Sequence, residues 1–423
     1  MKNGYKKRIS DQRLALLLQA KGAVLIEGPK WCGKTRSAEE MAASVLYMQD
    51  PDTARENIQI AKTKPSLLLE GDTPRLLDEW QVAPELWNAV RFAVDRRGER
   101  GQFILTGSVS PDRTEDMHSG TGRIARMQMR PMSLYESGES PGMVSLATLF
   151  DGADGPEGIS DVTVEQYAFL IARGGWPEAV LRTASERITL ALAYDYLEAV
   201  ANEDISQADG TQKNPDRVKA LLRSLARNVS NEAKTATIHN DLLGGDESLS
   251  RPTIDQYIAA LKKIFVIEDL PAWSAKLRSK TAMRTSEKRH FTDPSIAVAA
   301  LRATPKRLLA DFETFGFLFE SLAIRDLRAY AESLDGKVYH YRDKSGLEVD
   351  AIVQLADGSW GAVEVKMGAG EVDDAAAHLL KLKNIVDIGT MPPPSFMAVV
   401  TATRYAYRRS DGIVVVPLAC LGP

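Results

Sequence analysis

The sequence predicts an α/β protein with a parallel three-layer sheet first, a helical middle region next and an αβββαββ unit last. Short apolar runs alternate with helix-forming segments through the first 150 residues, which is typical of a parallel sheet covered by helices. Apolar residues then recur at helical spacing as far as residue 263. Beyond residue 335, strand patterns surround a single helix pattern. We expect four domains, over residues 1–150, 151–212, 213–305 and 306–423.

Composition excludes several classes of protein. The chain has 423 residues, of which 44% are hydrophobic and 26% charged, so long disorder is not expected. The net charge of -4 means that any surface for nucleic acid must be local. Two cysteines, Cys32 and Cys420, are too few for a disulfide framework and suit a reducing compartment. We find no signal peptide and no membrane-spanning run, and therefore expect a cytoplasmic protein with no membrane partner.

A phosphate-binding motif follows the first apolar run, GAVLIE. The segment GPKWCGKT matches G-x-x-x-x-G-K-[ST] and precedes a helix-forming segment, which is the context that the motif requires. Glycines let backbone N–H groups surround phosphates at a helix N-terminus, the lysine adds a charge, and the threonine hydroxyl binds Mg²⁺. The alternative is a glycine turn of coincidental composition. The predicted nucleotide-binding residues are Gly28, Pro29, Lys30, Trp31, Cys32, Gly33, Lys34, Thr35 and Arg36.

Acidic residues at a strand end complete this prediction. In PRLLDEWQ, Asp78 is placed to hold Mg²⁺ through water, and Glu79 to act as the base or to orient the attacking water. The alternative is that both acids cap the next helix. In FILTGS, Ser108 either senses the γ-phosphate or lies in an ordinary turn. In GTGR, Arg123 either acts as an arginine finger in a homo-oligomer or braces its own loop.

The motifs so far, together with GGWPE in the next segment, resemble those of the prokaryotic AAA-type ATPases that carry a C-terminal domain of unknown function. The resemblance covers essentially the whole chain, and it is the ordered set that is specific rather than any one piece. It implies a P-loop NTPase fold that binds ATP, a winged helix and a restriction-endonuclease-like C-terminal fold. Because GGWPE interrupts a helical pattern after Thr163, we predict a small helical lid over the nucleotide.

The middle region predicts a winged helix-turn-helix. Three helix patterns are followed by the strand-like FVIEDLPAW and a basic ribbon. From residue 251 to residue 289 there are nine Lys or Arg against four acids, a local charge of +5. We expect a basic wing over residues 274–290 that follows the phosphates of DNA or RNA. The alternatives are a solvated surface ribbon and a wing that packs on the nucleotide-binding domain.

The last region contains a candidate metal site. Glu320 lies in an apolar-rich helix pattern, where a carboxylate needs a partner or a metal. Asp350, separated by thirteen intervening residues from Glu364-Val365-Lys366, resembles the restriction-endonuclease-like motif, in which two carboxylates hold a divalent metal and the lysine positions or activates water. The alternative is a polar sheet surface without metal.

The spacing also selects the loop between the two strands of this motif. A two-residue turn would scramble the site, whereas a three-residue loop over residues 356–358 pairs Asp350 with Glu364 and Glu348 with Lys366. That register puts all the charges on one face and Val349, Ala351, Val353, Val363 and Val365 on the other.

Three functions are consistent with these features. The first is an ATP-hydrolysing protein coupled to a nucleic-acid-acting, nuclease-like module. The second is a regulatory ATP switch whose C-terminal domain is an inactive interaction module. The third is a nucleic-acid-binding scaffold with residual ATP binding. The expected cofactors are ATP and Mg²⁺.

Overall fold

The computed structural model describes residues 4–109, 119–152, 157–182, 184–243, 249–275, 286–386 and 391–423. In the N-terminal region a five-stranded parallel sheet has the order β2-β3-β4-β1-β5, which confirms the predicted parallel sheet. Its strands are β1 (Ala23–Glu27), β2 (Ser44–Tyr47), β3 (Arg75–Asp78), β4 (Phe103–Gly107) and β5 (Ile124–Gln128). The helices of this region are α1 (Ile9–Ala20), α2 (Lys34–Met41), α3 (Ala54–Thr63) and α4 (Glu85–Arg97).

Both faces of this sheet are covered by apolar clusters, as a three-layer fold requires. The strands β1, β3 and β4 are parallel neighbours, so their carboxyl ends meet at one edge. In such sheets this edge is the usual place for a ligand. The glycine loop, the acidic pair and Ser108 all follow these strand ends and are therefore brought together.

Helices dominate the middle of the chain and share one large apolar core with the C-terminal region. The short helices α5 (Leu134–Ser137) and α6 (Leu146–Phe150) lead into this part. The predicted lid contains α7 (Val164–Arg173), α8 (Pro177–Leu181), α9 (Glu186–Ala199), a π-helical turn (Val200–Asp204) and α10 (Ile205–Gln207). The helices that follow are α11 (Pro215–Arg227), α12 (Thr235–Leu242), α13 (Arg251–Lys263), α14 (Pro294–Ala300) and α15 (Pro305–Ala310).

The three predicted helices of the winged helix are present as α11, α12 and α13. The strand predicted for FVIEDLPAW is reduced to isolated antiparallel bridges, which join Ile267 to Phe291 and Leu270 to Lys288. A parallel bridge then joins Ala272 to His340, so this segment pairs with the C-terminal sheet instead of standing free. Residues 276–285, which carry four of the basic residues of the predicted wing, lie outside the described residues.

The C-terminal region holds a seven-stranded mixed sheet of order β7-β12-β13-β11-β10-β9-β8. The predicted αβββαββ order is present, with the additional short strand β12 between its last two strands. Its elements are α16 (Phe312–Ser333), β8 (Lys337–Arg342), β9 (Glu348–Gln354), β10 (Trp360–Lys366), α17 (Val372–Ile385), β11 (Phe396–Thr401), β12 (Tyr405–Arg408) and β13 (Val414–Pro417). The remaining strands are β6 (Val144–Ser145), β7 (Gly158–Ile159) and β14 (Leu421–Gly422).

The predicted three-residue loop between β9 and β10 is confirmed. Gln354 pairs with Trp360 and Ala351 with Val363, which is the register that places Asp350 opposite Glu364. Leu355 N–H donates to the carbonyl of Ser359 at 2.9 Å, so the loop consists of residues 356–358. Gly358 has φ +91°, the left-handed conformation that such a loop requires.

The predicted division of the hairpin into one charged and one apolar face is wrong at Val349. Val349 packs in the same cluster as Ile352, whereas Ala351 belongs to the other core. The reason is a register shift on the β8 side of β9, between the pairs made by Tyr339 and Tyr341. A bulge of this kind interrupts the side-chain alternation of the strand next to Asp350.

The last described residues pack against the N-terminal half of the chain. Strand β14 pairs in parallel with β6, and Ser140 Oγ donates to the carbonyl of Leu421 at 2.7 Å. In the described ranges, none of the helices combines the length and apolar character that a membrane-spanning segment requires.

Candidate nucleotide and carboxylate sites

The glycine loop leads directly into α2, as the motif predicts. Gly33, where α2 begins, has φ +100°, a conformation that disfavours other residues. A Cβ on Gly28 would lie 2.1 Å from the carbonyl oxygen of Met129, so the loop has room there only for glycine. Cys32 is buried beneath the loop, where its thiol donates to the same carbonyl at 3.5 Å. It does not line the cavity described next, and its predicted contact with nucleotide would be through backbone only.

A cavity of about 1100 Å³ lies in front of this loop. Loop residues line one side of it and residues of the predicted lid line the other. The principal lining residues are Lys30, Trp31, Lys34, Thr35, Arg36, Glu79, Gln81, Ser108, Pro177, Leu192 and Ala208. Its size suits a ligand of the dimensions of a nucleotide.

Two polar side chains that line the cavity, Lys34 and Thr35, are already hydrogen-bonded within the protein. Lys34 Nζ donates to the carbonyls of Gly28 and Pro29 at 3.0 and 2.8 Å. Thr35 Oγ1 donates to Asp78 Oδ1 at 2.7 Å. A hydroxyl beside a carboxylate, next to a lysine, is the donor set that holds Mg²⁺ and phosphate oxygens in P-loop sites. The residues therefore fit Mg²⁺ with a nucleoside triphosphate, with Thr35 and Asp78 as the residues that would hold the metal.

Glu79 lies at the end of β3 with φ +55°, a conformation uncommon for a non-glycine residue. Its carboxylate accepts hydrogen bonds from the Gln81 amide and from Ser108 Oγ, the latter at 3.4 Å. Thr106 Oγ1 donates to Asp78 Oδ1 at 2.6 Å, so β4 supports both acids. A left-handed backbone conformation in a residue other than glycine often marks a functional position.

Two loop residues connect the nucleotide site to the helical region. Lys30 Nζ lies 2.5 Å from Asp204 Oδ1, in the π-helical turn. The ring of Trp31 lies 5.8 Å from that of Tyr196, which in turn lies 4.4 Å from the ring of Trp176. Single π-helical turns are frequent at functional sites.

A second group of ionisable side chains lies where α16 meets β9 and β10. Lys288 Nζ lies 3.0 Å from Glu320 Oε1 and 3.4 Å from Asp350 Oδ1. Lys366 Nζ lies 2.8 Å from Glu364 Oε2 and 3.4 Å from Asp350 Oδ2. We call these five residues the carboxylate cluster. Of the two alternatives for Glu320, a partner or a metal, the structure shows a lysine partner.

Burial and neighbouring charges give the three carboxyl groups of the cluster different pKa values. Burial, with the neighbouring Asp350, raises the pKa of Glu364 to about 8 and that of Glu320 to about 7. Burial opposes ionisation of Asp350 too, but the ammonium groups of Lys288 and Lys366 lower its pKa to about 2. Asp350 is therefore the permanent anion to which both lysines are bound.

Family comparison identifies the two ends of the chain. Residues 20–138 match the family model described as an AAA domain, and residues 315–421 match a domain of unknown function, DUF4143. We call these two regions the AAA domain and the DUF4143 domain. Residues 164–307, between these, match a further domain of unknown function, DUF8612. The AAA domain contains the glycine loop and both predicted acids, and it supports ATP binding.

Relatives of the AAA–DUF4143 chain span nearly all of it. Uncharacterized proteins of Mycobacterium bovis and Mycobacterium tuberculosis are each 22% identical over 420 residues, which is 97% of this chain and 83% of theirs. The solved structure of the Walker-type ATPase PABY2304 of Pyrococcus abyssi is 13% identical, with a TM-score of 0.41. That alignment covers 71% of this chain and 97% of the other.

Two arginines of the AAA domain that were predicted to contact nucleotide form ion pairs with acids of the same domain. Arg123 is about half exposed, and its Nε donates to Asp95 Oδ1 on α4 at 2.7 Å. It does not line the cavity, and its role as a finger toward a neighbouring subunit stays a prediction. Arg36 lines the cavity, and its Nη1 lies 2.7 Å from Glu39 Oε2.

In the carboxylate cluster, sequence reasoning missed one member. The sequence predicts Lys288 as part of the basic wing of residues 274–290, but its side chain is only 5% exposed and lies in the cluster. Two other basic residues of the run from 251 to 289, Lys262 and Arg289, are both paired with Asp269. The predicted contact of the wing with nucleic acid stays a prediction. Among the residues that the structure describes, no group of three or more His, Cys, Asp or Glu is arranged to hold a metal ion.

Proposed function

We propose that this protein binds and hydrolyses ATP, and that the nucleotide state sets the position of the helical region against the DUF4143 domain. The observation that carries the proposal is the shared cavity, which has the glycine loop and Glu79 on one side and Pro177 and Leu192 on the other. A nucleotide bound there would contact both parts at once. Two buried free cysteines agree with the cytoplasm as its proposed location.

A chain of contacts supports transmission beyond the lid. Next to Pro177, Gly175 N–H donates to Asp293 Oδ2 at 2.9 Å. The same oxygen accepts from Arg325 Nη1 on α16 at 2.9 Å. Trp176 Nε1 donates to Ser295 Oγ at 3.0 Å. All of these groups are buried. If the lid segment moves away, Asp293 loses a hydrogen-bond donor, and either Arg325 on α16 moves with it or a buried charge is left without a partner.

Within the cavity each proposed role follows from position. Lys34 would exchange the two loop carbonyls for phosphate oxygens, which are stronger acceptors because they are charged. Glu79, held by Gln81 and Ser108, would orient water toward the terminal phosphate. Bound Mg²⁺ supplies charge neutralisation of the phosphates, at Thr35 and Asp78.

The test measures binding and turnover separately. With labelled ATP and Mg²⁺, Lys34→Ala should raise the dissociation constant at least about tenfold. Glu79→Gln should retain ATP and lower the hydrolysis rate by about a hundredfold or more. Lys62→Ala, an exposed lysine of α3, serves as the charge-matched control and should change neither quantity. Absence of saturable ATP uptake by the wild-type chain would refute the proposal.

A second candidate function is cleavage of nucleic acid by the DUF4143 domain. The observation that favours it is the register of β9 and β10, which brings Asp350, Glu364 and Lys366 together. Incubation of DNA and RNA with the protein and Mg²⁺ or Mn²⁺ tests it, and Glu364→Ala should stop any cleavage. A product that forms equally with the variant would identify a contaminating nuclease. The proposed contact with nucleic acid rests on the basic residues of 276–285, which are outside the described ranges.

A further inference from the structure

Lys288 is the feature of the carboxylate cluster that the nuclease-like motif does not account for. It comes from outside the DUF4143 match, from a segment that precedes α14. Its ammonium group nevertheless lies between Glu320 on α16 and Asp350 on β9, at 3.0 and 3.4 Å. The side chains of all three residues are at most 12% exposed.

The backbone fixes Lys288 in this place. Its N–H donates to the carbonyl of Leu270 at 3.0 Å, and the N–H of Leu270 donates to the carbonyl of Lys288 at 2.8 Å. Two residues later, His290 is fully buried, with Nδ1 3.3 Å from Ser321 Oγ on α16. The ammonium group is therefore delivered to the cluster by an anchored segment, and little side-chain freedom remains to be lost there.

With Lys288 seated, both oxygens of Asp350 and one oxygen each of Glu364 and Glu320 are bound by the protein itself. Asp350 Oδ1 accepts from Lys288, and Asp350 Oδ2 accepts from Lys366 and from the N–H of Val365 at 2.9 Å. Glu364 Oε2 is bound by Lys366 at 2.8 Å. A divalent cation needs several free oxygens at about 2.0–2.6 Å, and two ammonium groups at hydrogen-bond distance exclude this. The residues as they lie do not fit a metal ion.

The charge balance explains why the cluster is stable without one. A buried carboxylate is costly unless it is paired, and an ammonium group beside it removes most of that cost. Lys366 alone would leave Glu320 without a cation, because the ammonium contacts of Lys366 are with Asp350 and Glu364. Lys288 supplies the missing positive charge.

We propose that Lys288 is a built-in cation that closes the carboxylate cluster of the DUF4143 domain to divalent metal ions. The cluster is held metal-free while this segment is docked, and removal of the ammonium group opens it. The inference concerns the second candidate site and does not depend on ATP binding by the AAA domain.

The test is a titration of the full-length, nucleotide-free protein with Mn²⁺, in which electron paramagnetic resonance measures the concentration of free Mn²⁺ at each step. Lys288→Met keeps an unbranched side chain and removes the charge. We expect it to bind one Mn²⁺ at least about tenfold more tightly than wild type, because one partner of a buried ion pair is left uncompensated. Asp350→Asn in the Lys288→Met background should abolish this binding, which separates the cluster from weak binding at Asp78.

Lys262→Met is the matched control. Lys262 is also paired with carboxylates of this region but lies 40% exposed and outside the cluster, so this variant should bind Mn²⁺ no better than wild type. Lys288→Gln, which retains a hydrogen-bond donor, provides a second variant if Lys288→Met loses its native circular dichroism spectrum. Folded Lys288 variants with wild-type Mn²⁺ affinity would overturn the proposal. So would a wild-type protein that binds one Mn²⁺ tightly and loses it with Asp350→Asn. ATP affinity, measured in parallel, reports on the proposed ATPase independently.

Discussion

Arg130, Glu268 and Glu332 come from three different regions of the sequence and form ion pairs. The loss of free energy of unfolding when Glu268 is removed can be worked out from the structure. Arg130 follows β5 of the AAA domain, and its guanidinium lies 2.6 Å from Glu268 Oε1 and 2.6 Å from Glu332 Oε2. Burial by itself would raise the pKa of Glu268, but Arg130 and Arg328 lower it from 4.5 to about 2. A difference of this size corresponds to about 3 kcal/mol of stabilisation at neutral pH. Glu268→Gln, which keeps the shape and removes the charge, should lower the free energy of unfolding by roughly that amount.

The effect should depend on pH with a defined sign. Because the folded-state pKa of Glu268 lies below its ordinary value, the stabilisation is fully present above about pH 4.5 and is lost as the pH falls toward 2. The difference between wild type and Glu268→Gln should therefore be constant from pH 6 to 8 and shrink to about 1 kcal/mol near pH 3. Urea unfolding followed by tryptophan fluorescence measures it.

A matched charge removal controls for the effect of net charge. Asp161 and Arg404 form an ion pair with side chains 89% and 61% exposed, so Asp161→Asn should not change stability measurably. Equal stability of Glu268→Gln and wild type at pH 7 would refute the assigned role of the ion pair. A loss that is independent of pH would instead attribute the effect to packing.

Three further outcomes follow from local geometry. Gly361→Ala should destabilise the protein by about 1–3 kcal/mol in urea unfolding, because its Cβ would lie 2.1 Å from the Phe396 ring. Gly175→Ala should weaken ATP binding in equilibrium titration, since its Cβ would lie 2.0 Å from the carbonyl oxygen of Met132 and displace the lid segment; unchanged affinity would contradict the role of the lid. Thr35→Val should remove the Mg²⁺ dependence of ATP affinity while leaving the metal-free affinity near that of wild type, and an unaltered Mg²⁺ titration would argue against Thr35 as a ligand.

The parts of the molecule that sequence predicted are those governed by local rules. The glycine loop, the acids after β3 and the parallel sheet follow from motif spacing and apolar runs, which depend on neighbours in the chain. The loop over residues 356–358 was predictable because only one register keeps Asp350 and Glu364 opposite each other.

The parts that sequence did not predict depend on contacts between distant residues. A run of lysines and arginines has the same composition whether it faces solvent or, like Lys288, folds onto Glu320 and Asp350. The shift opposite Asp350 arises from pairing with β8, and an alternating pattern in β9 contains no signal for it. Likewise, nothing in the sequence of β6 indicates that the last strand of the chain will pair with it.

Both candidate sites hold a lysine whose ammonium group is satisfied by the protein itself, and the acceptors decide how readily each is released. Lys34 is bound by two neutral carbonyls of its own loop, and such hydrogen bonds contribute about 1 kcal/mol each. Lys288 is bound by two buried carboxyl groups, and withdrawal of one partner from a buried pair costs about 3–5 kcal/mol. A charged phosphate can displace the carbonyls from Lys34. A metal ion, by contrast, must displace Lys288 from Glu320 and Asp350, the two carboxyl groups that hold it. The nucleotide site is therefore poised to accept its ligand, while the carboxylate cluster opens only if a larger rearrangement first removes the segment that carries Lys288.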